Sequence, residues 1–249
     1  MNLQTFLQSE EPRLVFFSGA GLSKESGINT FRDADGTWEK FDVNKVCNID
    51  TFMSNYKTVH DFYNARRVQL STVEPNAAHF FIAEMQKKYG DRVLHFTANV
   101  DDLCERACGT ACHVHGSLLE VIDNYTRCGE FAEIKKLGYE EWIPDPEVNS
   151  KPNIVFFGES TRFEDGKKVY IYDDMNNVLF FLRPQDTAII IGSGDQVLEW
   201  SYMCGKRSQA FAINVNPVEQ QFDNLFQENI YKPATEAIPD ILDFIEKRM

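Results

Sequence analysis

The stretch that decides the fold is Ser18–Arg32, SGAGLSKESGINTFR, which directly follows the apolar run RLVFF at residues 13–17. A continuous apolar run of this length is typical of a strand buried on both faces of a sheet. Gly19 and Gly21 follow that run, and without a Cβ they permit a tight turn and the close approach of a ligand. A helix beginning after Gly21 would direct free N–H groups at an anion such as pyrophosphate. Because the third glycine of the common dinucleotide fingerprint is missing, a plain structural turn is the alternative interpretation.

Further along the chain, strand-like and helix-like segments alternate. The other apolar runs are RVLHFT (92–97), NIVFFG (153–158), TAIIIG (187–192) and AFAINV (210–215). Segments of helical character are TVHDFYNARRVQL (58–70), PNAAHFFIAEMQKKYG (75–90) and the C-terminal ATEAIPDILDFIEKRM (234–249). This alternation predicts an α/β fold, a doubly wound parallel sheet with helices on both faces. The region Val121–Asn153 breaks the rhythm and predicts a small, loop-rich second unit.

Composition excludes several classes of protein. The chain has 249 residues and a formal net charge of −13, so it is a poor candidate for binding nucleic acid through phosphate contacts. The N-terminal sequence does not match a signal peptide, and the apolar runs are too short to span a bilayer. We therefore expect a soluble, cytoplasmic monomer that binds neither nucleic acid nor membranes.

The six cysteines, at positions 47, 104, 108, 112, 128 and 204, form no CxxC pair. In a cytosolic chain we expect them to be free and mostly buried thiols. Cys104, Cys108 and Cys112 share one face if their segment is helical, and His113 follows them. A metal site there is the alternative, although the spacing does not match the usual zinc patterns.

Polar side chains follow the ends of several predicted strands. Asn99 and Asp101 lie in TANVDDL, Ser193 lies in GSG, and Asn214 lies in NVNP. Ligands of open parallel sheets bind beyond the carboxyl ends of the strands, so we expect these residues to line one crevice. Arg32, with its planar fork of donors, suits a phosphate or a carboxylate, and an ordinary surface charge is the alternative.

A candidate base lies in HVHGSL, where His115 is followed by Gly116. Histidine titrates near neutrality and serves as a general base in many enzymes. The alternatives are a histidine with a purely structural role and a metal site that includes His113.

Taken together, these motifs resemble those of the sirtuins, the NAD-dependent protein-lysine deacylases. GAGLSKESGINTFR resembles the family's GAGxSxxSGIxxFR, TANVDDL resembles TQNIDxL, and HVHGSL supplies the family's HG motif. NIVFFGE supplies the FGE segment, GSG stands where the family has GTS, and INVNP matches another strand end. The motifs cover nearly the whole chain and occur in the family's order, and the flanking FYNARR and PNAAH are similar to bacterial class III members.

The resemblance implies a Rossmann-type large domain and a small domain with NAD between them. The expected large domain comprises residues 10–35, 75–120 and 150–249, and the small domain comprises residues 36–74 and 121–152, within one catalytic region spanning 1–249. The residues that the resemblance assigns to NAD binding are Gly19, Ala20, Gly21, Ser26, Thr30, Phe31, Arg32, Trp38, Ala98, Asn99, Val100, Asp101, His115, Gly192, Ser193, Gly194, Asn214, Val215, Asn216 and Ala234.

The implied activity is removal of an acyl group from lysine, with release of nicotinamide and O-acyl-ADP-ribose. His115 is the implied general base, and Asn99 is the second catalytic residue, facing the nicotinamide and its ribose. Phe157, Gly158 and Glu159 of the FGE segment are assigned to the acyl-lysine protein or peptide substrate.

Acyl preference is indicated by Tyr63-x-x-Arg66, which resembles the YxxR motif of class III sirtuins. In that class the motif binds the carboxylate of succinyl- or malonyl-lysine, and a phenol and a guanidinium are good partners for a carboxylate. Cys47 stands where those enzymes have alanine, which predicts a slightly tighter acyl pocket. A surface arginine and a core tyrosine are the alternative interpretation.

Two departures from the family pattern stand out. The family usually has two CxxC pairs that hold a structural zinc, whereas only Cys128 remains here, so we expect NAD as cofactor and no zinc. Ala98 replaces a glutamine near the ribose. These departures keep open an NAD glycohydrolase or ADP-ribosyltransferase on the same fold, and a non-enzymatic nucleotide-sensing module is a third hypothesis. No role is predicted for the extra length at residues 160–185.

Overall fold

The computed structural model of the chain describes residues 2–28, 42–126, 132–145, 147–164, 167–170, 173–194 and 200–249. Five residues singled out from the sequence lie outside these ranges, namely Thr30, Phe31, Arg32, Trp38 and Cys128.

The helices are α1 Leu3–Gln8, α2 Gly21–Lys24, α3 Val43–Val46, α4 Tyr56–Leu70, α5 Ala77–Tyr89, α6 Leu103–Arg106, α7 Asp173–Phe181, α8 Trp200–Arg207 and α9 Ile238–Arg248. The strands are β1 Leu14–Ser18, β2 Val93–Thr97, β3 Cys112–His113, β4 Gly116–Asp123, β5 Glu133–Lys136, β6 Lys151–Ile154, β7 Thr161–Glu164, β8 Lys167–Tyr170, β9 Thr187–Ile191, β10 Phe211–Val215 and β11 Glu228–Ile230. Short 3-10 helices lie at Met53–Asn55, Gly90–Arg92 and Asp223–Leu225. Strands alternate with helices in the second half of the chain, from α7 to α9, whereas the strands β3 to β8 follow one another without a helix between them in the described residues.

The main sheet has six parallel strands in the order β11-β10-β9-β1-β2-β3. Its first half runs outward from β1 to β3 and its second half from β9 to β11, so the strand order reverses between β1 and β9. The predicted doubly wound parallel sheet is therefore confirmed. Four of the predicted strands lie in it, whereas the edge strands β3 and β11 have only two and three residues and escaped prediction.

Alternate residues of the central strands enter two separate cores. Val15 and Phe17 of β1 belong to one apolar cluster with α7 and α8 residues, including Trp200. Leu14 and Phe16 belong to the other, with α5 and α9 residues. Because successive side chains of a strand point to opposite faces, one apolar run supplies both layers.

The run NIVFFG was predicted as a further strand of the parallel sheet, and this prediction was wrong. The strand there is β6, Lys151–Ile154, and it pairs antiparallel with β4, which pairs antiparallel with β5 in a separate three-stranded sheet. The prediction rested on the continuous apolar run, which is typical of a central strand, and all four β6 residues are in fact buried. Burial of a short apolar run does not reveal which sheet contains it.

The region Val121–Asn153, predicted to be loop-rich, contributes the end of β4, all of β5 and the start of β6 to this second sheet. A third apolar cluster lies with it and includes Phe62 and Tyr63 of α4, Leu118 of β4 and Phe156. The three-stranded sheet and α4 thus share a core of their own, away from both faces of the parallel sheet.

The predicted helices form, with shifted ends. The helix predicted from Pro75 begins at Ala77, because Asn76 is its N-cap: the Asn76 side chain accepts from the helix and the His79 side chain accepts from the Asn76 N–H. Gly90 ends that helix with a positive φ of 59°. The C-terminal helix α9 buries Ile241 and Ile245, which lie four residues apart on one face.

Within the described part of the chain, no helix is long and apolar enough to cross a membrane. The five described cysteines are outside disulfides; Cys47, Cys104 and Cys204 are buried, Cys112 is half-buried and Cys108 is exposed.

Candidate functional site

The glycines of the opening stretch let two loops approach each other closely. Gly21 N–H donates to the Gly192 carbonyl over 2.8 Å, and Gly19 N–H donates to Ile191 over 3.1 Å. A Cβ on Gly21 would lie 2.6 Å from Gly192 Cα, and a Cβ on Gly192, whose φ is +65°, would lie 2.4 Å from Leu22 N. The turns after β1 and β9 therefore interlock backbone to backbone, which leaves no room for side chains between them.

The strand ends that carry the predicted polar residues meet at one edge of the parallel sheet. Ser18 at the end of β1 lies opposite Thr97 of β2 and Ile191 of β9, and Ile191 lies opposite Val215 of β10. The residues beyond these ends, the loops that start at Gly19, Ala98, Gly192 and Asn216, are thus placed side by side, as the crevice prediction requires.

Ser23 is the centre of a buried polar network at this edge. Its Oγ donates to Asp101 Oδ2 over 2.9 Å and accepts from the Asn99 side-chain amide over 3.0 Å. His79 Nε2 lies 3.3 Å from the same oxygen. Since His79 Nδ1 accepts from the Asn76 N–H, the proton of the neutral ring lies on Nε2 and Ser23 accepts it. One hydroxyl thereby fixes Asn99 and Asp101 of TANVDDL against α2.

Burial sets the charges of this network. It lowers the pKa of His79 to about 4, so this ring is neutral at pH 7. Burial also raises the pKa of Asp101, and hydrogen bonds from Ser23 and the Leu103 N–H oppose that rise. The network thus brings one acidic group and several neutral donors to the crevice.

His115 lies between β3 and β4. Burial lowers its pKa to about 4, against the effect of a hydrogen bond to the Ala98 backbone. Gly116 next to it has a φ of +84°, and a Cβ there would lie 2.1 Å from the Asn153 carbonyl oxygen. The glycine of the HG motif is therefore required by the contact between β4 and β6, and His115 is a neutral imidazole at pH 7.

At the far side of the edge, Asn216 joins the β9 and β10 loops, and Asn214 joins β10 to the 3-10 helix Asp223–Leu225. The Asn216 amide donates to the Ser193 carbonyl over 2.7 Å. The Asn214 side-chain N–H donates to Asp223 Oδ1 over 2.7 Å, so the other end of the amide, Asn214 Oδ1, is directed away from Asp223. This buried acceptor has no hydrogen-bond partner in the described structure. Val215 ends β10 and Ala234 is buried beneath α9 in the second core.

The other residues predicted for the cofactor are placed as follows. Ser26 follows α2 and accepts from the Asn76 amide over 3.1 Å. Ala98 donates its N–H to the Ser18 carbonyl over 2.9 Å, and Val100 accepts from Leu118 over 2.8 Å. Ala20 lies in the turn between Gly19 and Gly21, and Gly194 follows Ser193.

Tyr63 and Arg66 lie together on the buried face of α4. Tyr63 stacks on Phe156 with ring centroids 5.8 Å apart, and its hydroxyl is hydrogen-bonded to the Cys47 thiol. Arg66 is 8% exposed, packs over the Phe62 ring at 5.2 Å and donates to Gln69 Oε1 over 3.2 Å. The structure therefore brings Cys47, Tyr63 and Arg66 to one end of the third core.

The FGE segment follows β6 and closes over Cys47. Phe157 donates its N–H to the Cys47 carbonyl over 2.9 Å and accepts from Ile49 over 3.1 Å, while Gly158 has a φ of +88°. Glu159 accepts from the Tyr125 hydroxyl over 2.8 Å and pairs with the buried Lys151 ammonium at 2.9 Å. Phe157 itself is 42% exposed.

Sequence reasoning missed four members of the site. No role was predicted for Ser23, His79 or Glu105, and His113 was considered only for an alternative metal site. PNAAH carried a signal, because a capping asparagine with a histidine at the third helical position forms the capping box that orients His79. Nothing in the local sequence indicates that His113 contacts Asn99 and Glu105.

In the described part of the chain, no group of three or more His, Cys, Asp or Glu side chains is arranged to hold a metal ion. The expectation that the protein lacks a structural zinc remains a prediction. Elemental analysis of the purified protein should give far less than one zinc per chain. A tightly bound zinc at about one equivalent would contradict it.

Comparison with known proteins gives consistent matches along the chain. The model of the "Sir2 family" matches residues 19–198. A protein of Helicobacter hepaticus named NAD-dependent protein deacylase is 35% identical over 263 residues, covering 95% of this chain and 98% of that relative. Proteins with the same name from Campylobacter jejuni (strain RM1221) and Escherichia coli (strain K12) are 36% and 34% identical, covering 94% and 96% of this chain and 97% and 82% of those relatives.

Solved structures agree with this. A mutant Sir2 homologue in complex with ADP-ribose superposes with a TM-score of 0.76 at 26% identity, covering 99% of this chain and 97% of that chain. A Sir2 homologue in complex with NAD superposes with a TM-score of 0.74 at 26% identity, covering 98% of this chain and 93% of that chain.

Proposed function

Since the chain belongs to the Sir2 family, we propose that it is an NAD-dependent protein-lysine deacylase that releases nicotinamide and O-acyl-ADP-ribose. The observation that carries this proposal is the Ser23 network, in which one hydroxyl holds Asn99, Asp101 and His79 at the carboxyl edge of the sheet. The neutral His115 lies on the connection that follows the neighbouring strand β3.

The residues at the edge fit NAD. The buried Asn214 Oδ1, which lacks a donor in the described structure, is an acceptor suited to a ribose hydroxyl. The interlocked turns at Gly19–Gly21 and Gly192–Gly194 present backbone rather than side chains, which suits close approach of a pyrophosphate. We assign Asn99 and Asp101 to the nicotinamide-ribose half and Ser193, Asn214 and Asn216 to the adenosine half. When bound, NAD supplies a ribose carbon activated by a nicotinamide leaving group.

The roles of this chain's own side chains follow from their environment. Ser23 fixes the Asn99 amide, so that Asn99 holds its position without rearranging during the reaction. His115 is neutral, so it takes up a proton from a hydroxyl at pH 7 and serves as the general base.

The two-domain division also remains part of the proposal. The third core, shared by α4 and the three-stranded sheet, supports a small domain distinct from the parallel sheet. The FGE segment pairs with residues 47–49 just after β6, beside Tyr63, which supports placing the acyl-lysine chain there.

The test is a reaction of the purified protein with NAD and matched acetyl- and succinyl-lysine peptides. Nicotinamide and deacylated peptide are followed together, with a control lacking peptide. Peptide-dependent release of nicotinamide supports the deacylase. Equal release without peptide would instead favour an NAD glycohydrolase. The replacement of the family's glutamine by Ala98 is the feature that keeps this alternative open.

We further propose that acidic acyl groups are preferred over acetyl. Tyr63 and Arg66 share one buried face of α4, and a buried guanidinium next to a phenol is a good partner for a carboxylate. Burial lowers the pKa of Arg66, but a guanidinium remains charged near neutrality. The Cys47 thiol, hydrogen-bonded to Tyr63, narrows the same end of the pocket.

Replacement of Arg66 by methionine should therefore change the selectivity. Methionine keeps the apolar stem against Phe62 but removes the charge, so desuccinylation should fall by about 10²-fold or more while deacetylation changes little. Tyr63→Phe, which keeps the ring stacked on Phe156, is the matched variant and should show a smaller loss in the same direction. The measurement is kcat/KM for both peptides; equal losses on both would refute the carboxylate role of Arg66.

A further inference from the structure

His113 contacts two acceptors at once. Its Nδ1 lies 2.8 Å from the backbone carbonyl oxygen of Asn99, and its Nε2 lies 3.2 Å from Glu105 Oε1. His113 belongs to β3 and pairs with Thr97 of β2, while Glu105 belongs to α6. The ring therefore joins the loop that carries Asn99 to the helix that follows it.

These two contacts determine the protonation state of the ring. A neutral imidazole has a single N–H, whereas a carbonyl and a carboxylate are both acceptors. Both contacts are hydrogen bonds only when the two ring nitrogens are protonated. In the neutral ring, one nitrogen lone pair would face an acceptor oxygen, and one of the contacts would be lost.

Asn99 is held at three points, and His113 provides the titratable one. The side-chain amide donates to Ser23 Oγ over 3.0 Å, and the backbone N–H donates to Thr97 Oγ1 over 3.1 Å. The backbone carbonyl is the third point, held by His113. Loss of the proton breaks one of the two contacts of His113, so the Asn99 carbonyl is no longer tied through the ring to Glu105 and the main chain that carries the Asn99 side chain is held less firmly.

We propose that protonated His113 is a positioning residue that fixes the main chain of Asn99 to Glu105, and that loss of its proton loosens Asn99 and lowers activity on the alkaline side. The inference rests on the proposed function, because it takes Asn99 as a residue of the reaction. His113 itself contacts the Asn99 backbone and Glu105, so it acts through Asn99.

The charged groups that face His113 from the neighbouring elements support the protonated form. Burial acts to lower the pKa of His113, but Glu105, the Asn99 carbonyl and Asp101 together raise it above its ordinary value. Glu105 in turn has a lowered pKa, since His113 outweighs the effect of its burial. His95 on β2 is neutral, with a pKa of about 3, and adds no positive charge.

The sign of the pH dependence follows. A histidine whose pKa is raised in the folded protein is protonated below its ordinary pKa and loses its proton as the pH rises through the folded value. Activity that depends on protonated His113 is therefore complete below the ordinary pKa of histidine and falls as the pH rises through the raised pKa of the folded protein.

The experiment compares kcat and KM for NAD from pH 6 to 9 in the wild type, His113→Asn, His113→Ala and Glu105→Gln. The asparagine amide lies near the position of Nδ1 and donates to the Asn99 carbonyl at every pH. His113→Asn should therefore keep activity within about threefold of wild type and lose the alkaline decline, whereas His113→Ala should lose about tenfold in kcat at every pH with a smaller change in KM. Glu105→Gln should move the decline to lower pH, and Glu84→Gln, an exposed glutamate on α5, should leave it in place.

An alkaline decline that persists unchanged in His113→Asn, or equal losses in the asparagine and alanine variants, would overturn the proposal. NMR titration of the histidine rings gives a second readout that needs no activity. His113 should titrate above the value of a free imidazole, Glu105→Gln should lower that pKa, and the Asn99 amide signals should follow the same titration. A His113 pKa unaffected by Glu105→Gln would overturn the proposal, whereas an inactive wild type with the expected titration would refute the proposed function alone.

Discussion

Replacement of His115 by alanine is expected to reduce kcat by about 10²- to 10⁴-fold, the usual contribution of a general base, while the affinity for NAD stays close to that of the wild type. The physical reason is its environment: burial lowers the pKa of His115 to about 4, so the ring is a proton acceptor over the whole neutral range. Alanine removes that acceptor and leaves Gly116 and the contact between β4 and β6 in place.

Turnover and NAD binding must be measured separately to test this role. Calorimetric titration with NAD reports binding, and the unfolding midpoint of the variant reports whether the fold is retained. If NAD affinity fell by the same factor as kcat, His115 would be a binding residue and its assignment as a base would be wrong.

Acidification is expected to unfold the protein between about pH 6 and pH 4.5, because loss of solvation lowers the pKa of four of its five histidines in the folded protein. Burial lowers the pKa of His79 and of His115 to about 4 and that of His95 to about 3, and it also lowers the pKa of His60. In the unfolded chain these rings take up protons below their ordinary pKa, while the folded protein does not.

The sign and the size of the effect follow from that difference. A depressed folded pKa gives stability that is present above the ordinary pKa of about 6.5 and is lost as the pH falls towards the folded value. Each such histidine contributes a slope of up to about 1.4 kcal/mol per pH unit, so three give about 4 kcal/mol per unit against a typical total of about 5–15 kcal/mol. His113, with its raised pKa, acts in the opposite direction.

Urea denaturation at pH 8, 7, 6 and 5, followed by tryptophan fluorescence and circular dichroism, measures this slope. His95→Asn is a matched variant: it should reduce the slope by roughly one histidine's share, since His95 contacts Ser18 Oγ at 2.7 Å within the core. A free energy of unfolding that stays constant from pH 7 to pH 5 would contradict the prediction.

The sequence alone determined the class of fold and the motifs of the site. Apolar runs such as TAIIIG report burial on both faces, and the glycine turn after β1 marks the carboxyl edge of the sheet, because both are local properties of the chain. The helices also depend on local features of the chain. Asn76 caps the start of α5, and the apolar residues of α9 recur at helical spacing.

Tertiary structure decided which sheet each strand joins and which side chains meet. NIVFFG is as apolar as a central strand, yet β6 pairs with β4, because pairing is settled by partners distant in the sequence. Ser23 contacts His79, which is 56 residues away in the chain, and Asn99, which is 76 residues away. His113 contacts the carbonyl of Asn99, which is 14 residues away. Hydrogen bonds over such separations, and the burial that shifts the histidine pKa values, arise only when the chain has folded, so no local pattern predicts them.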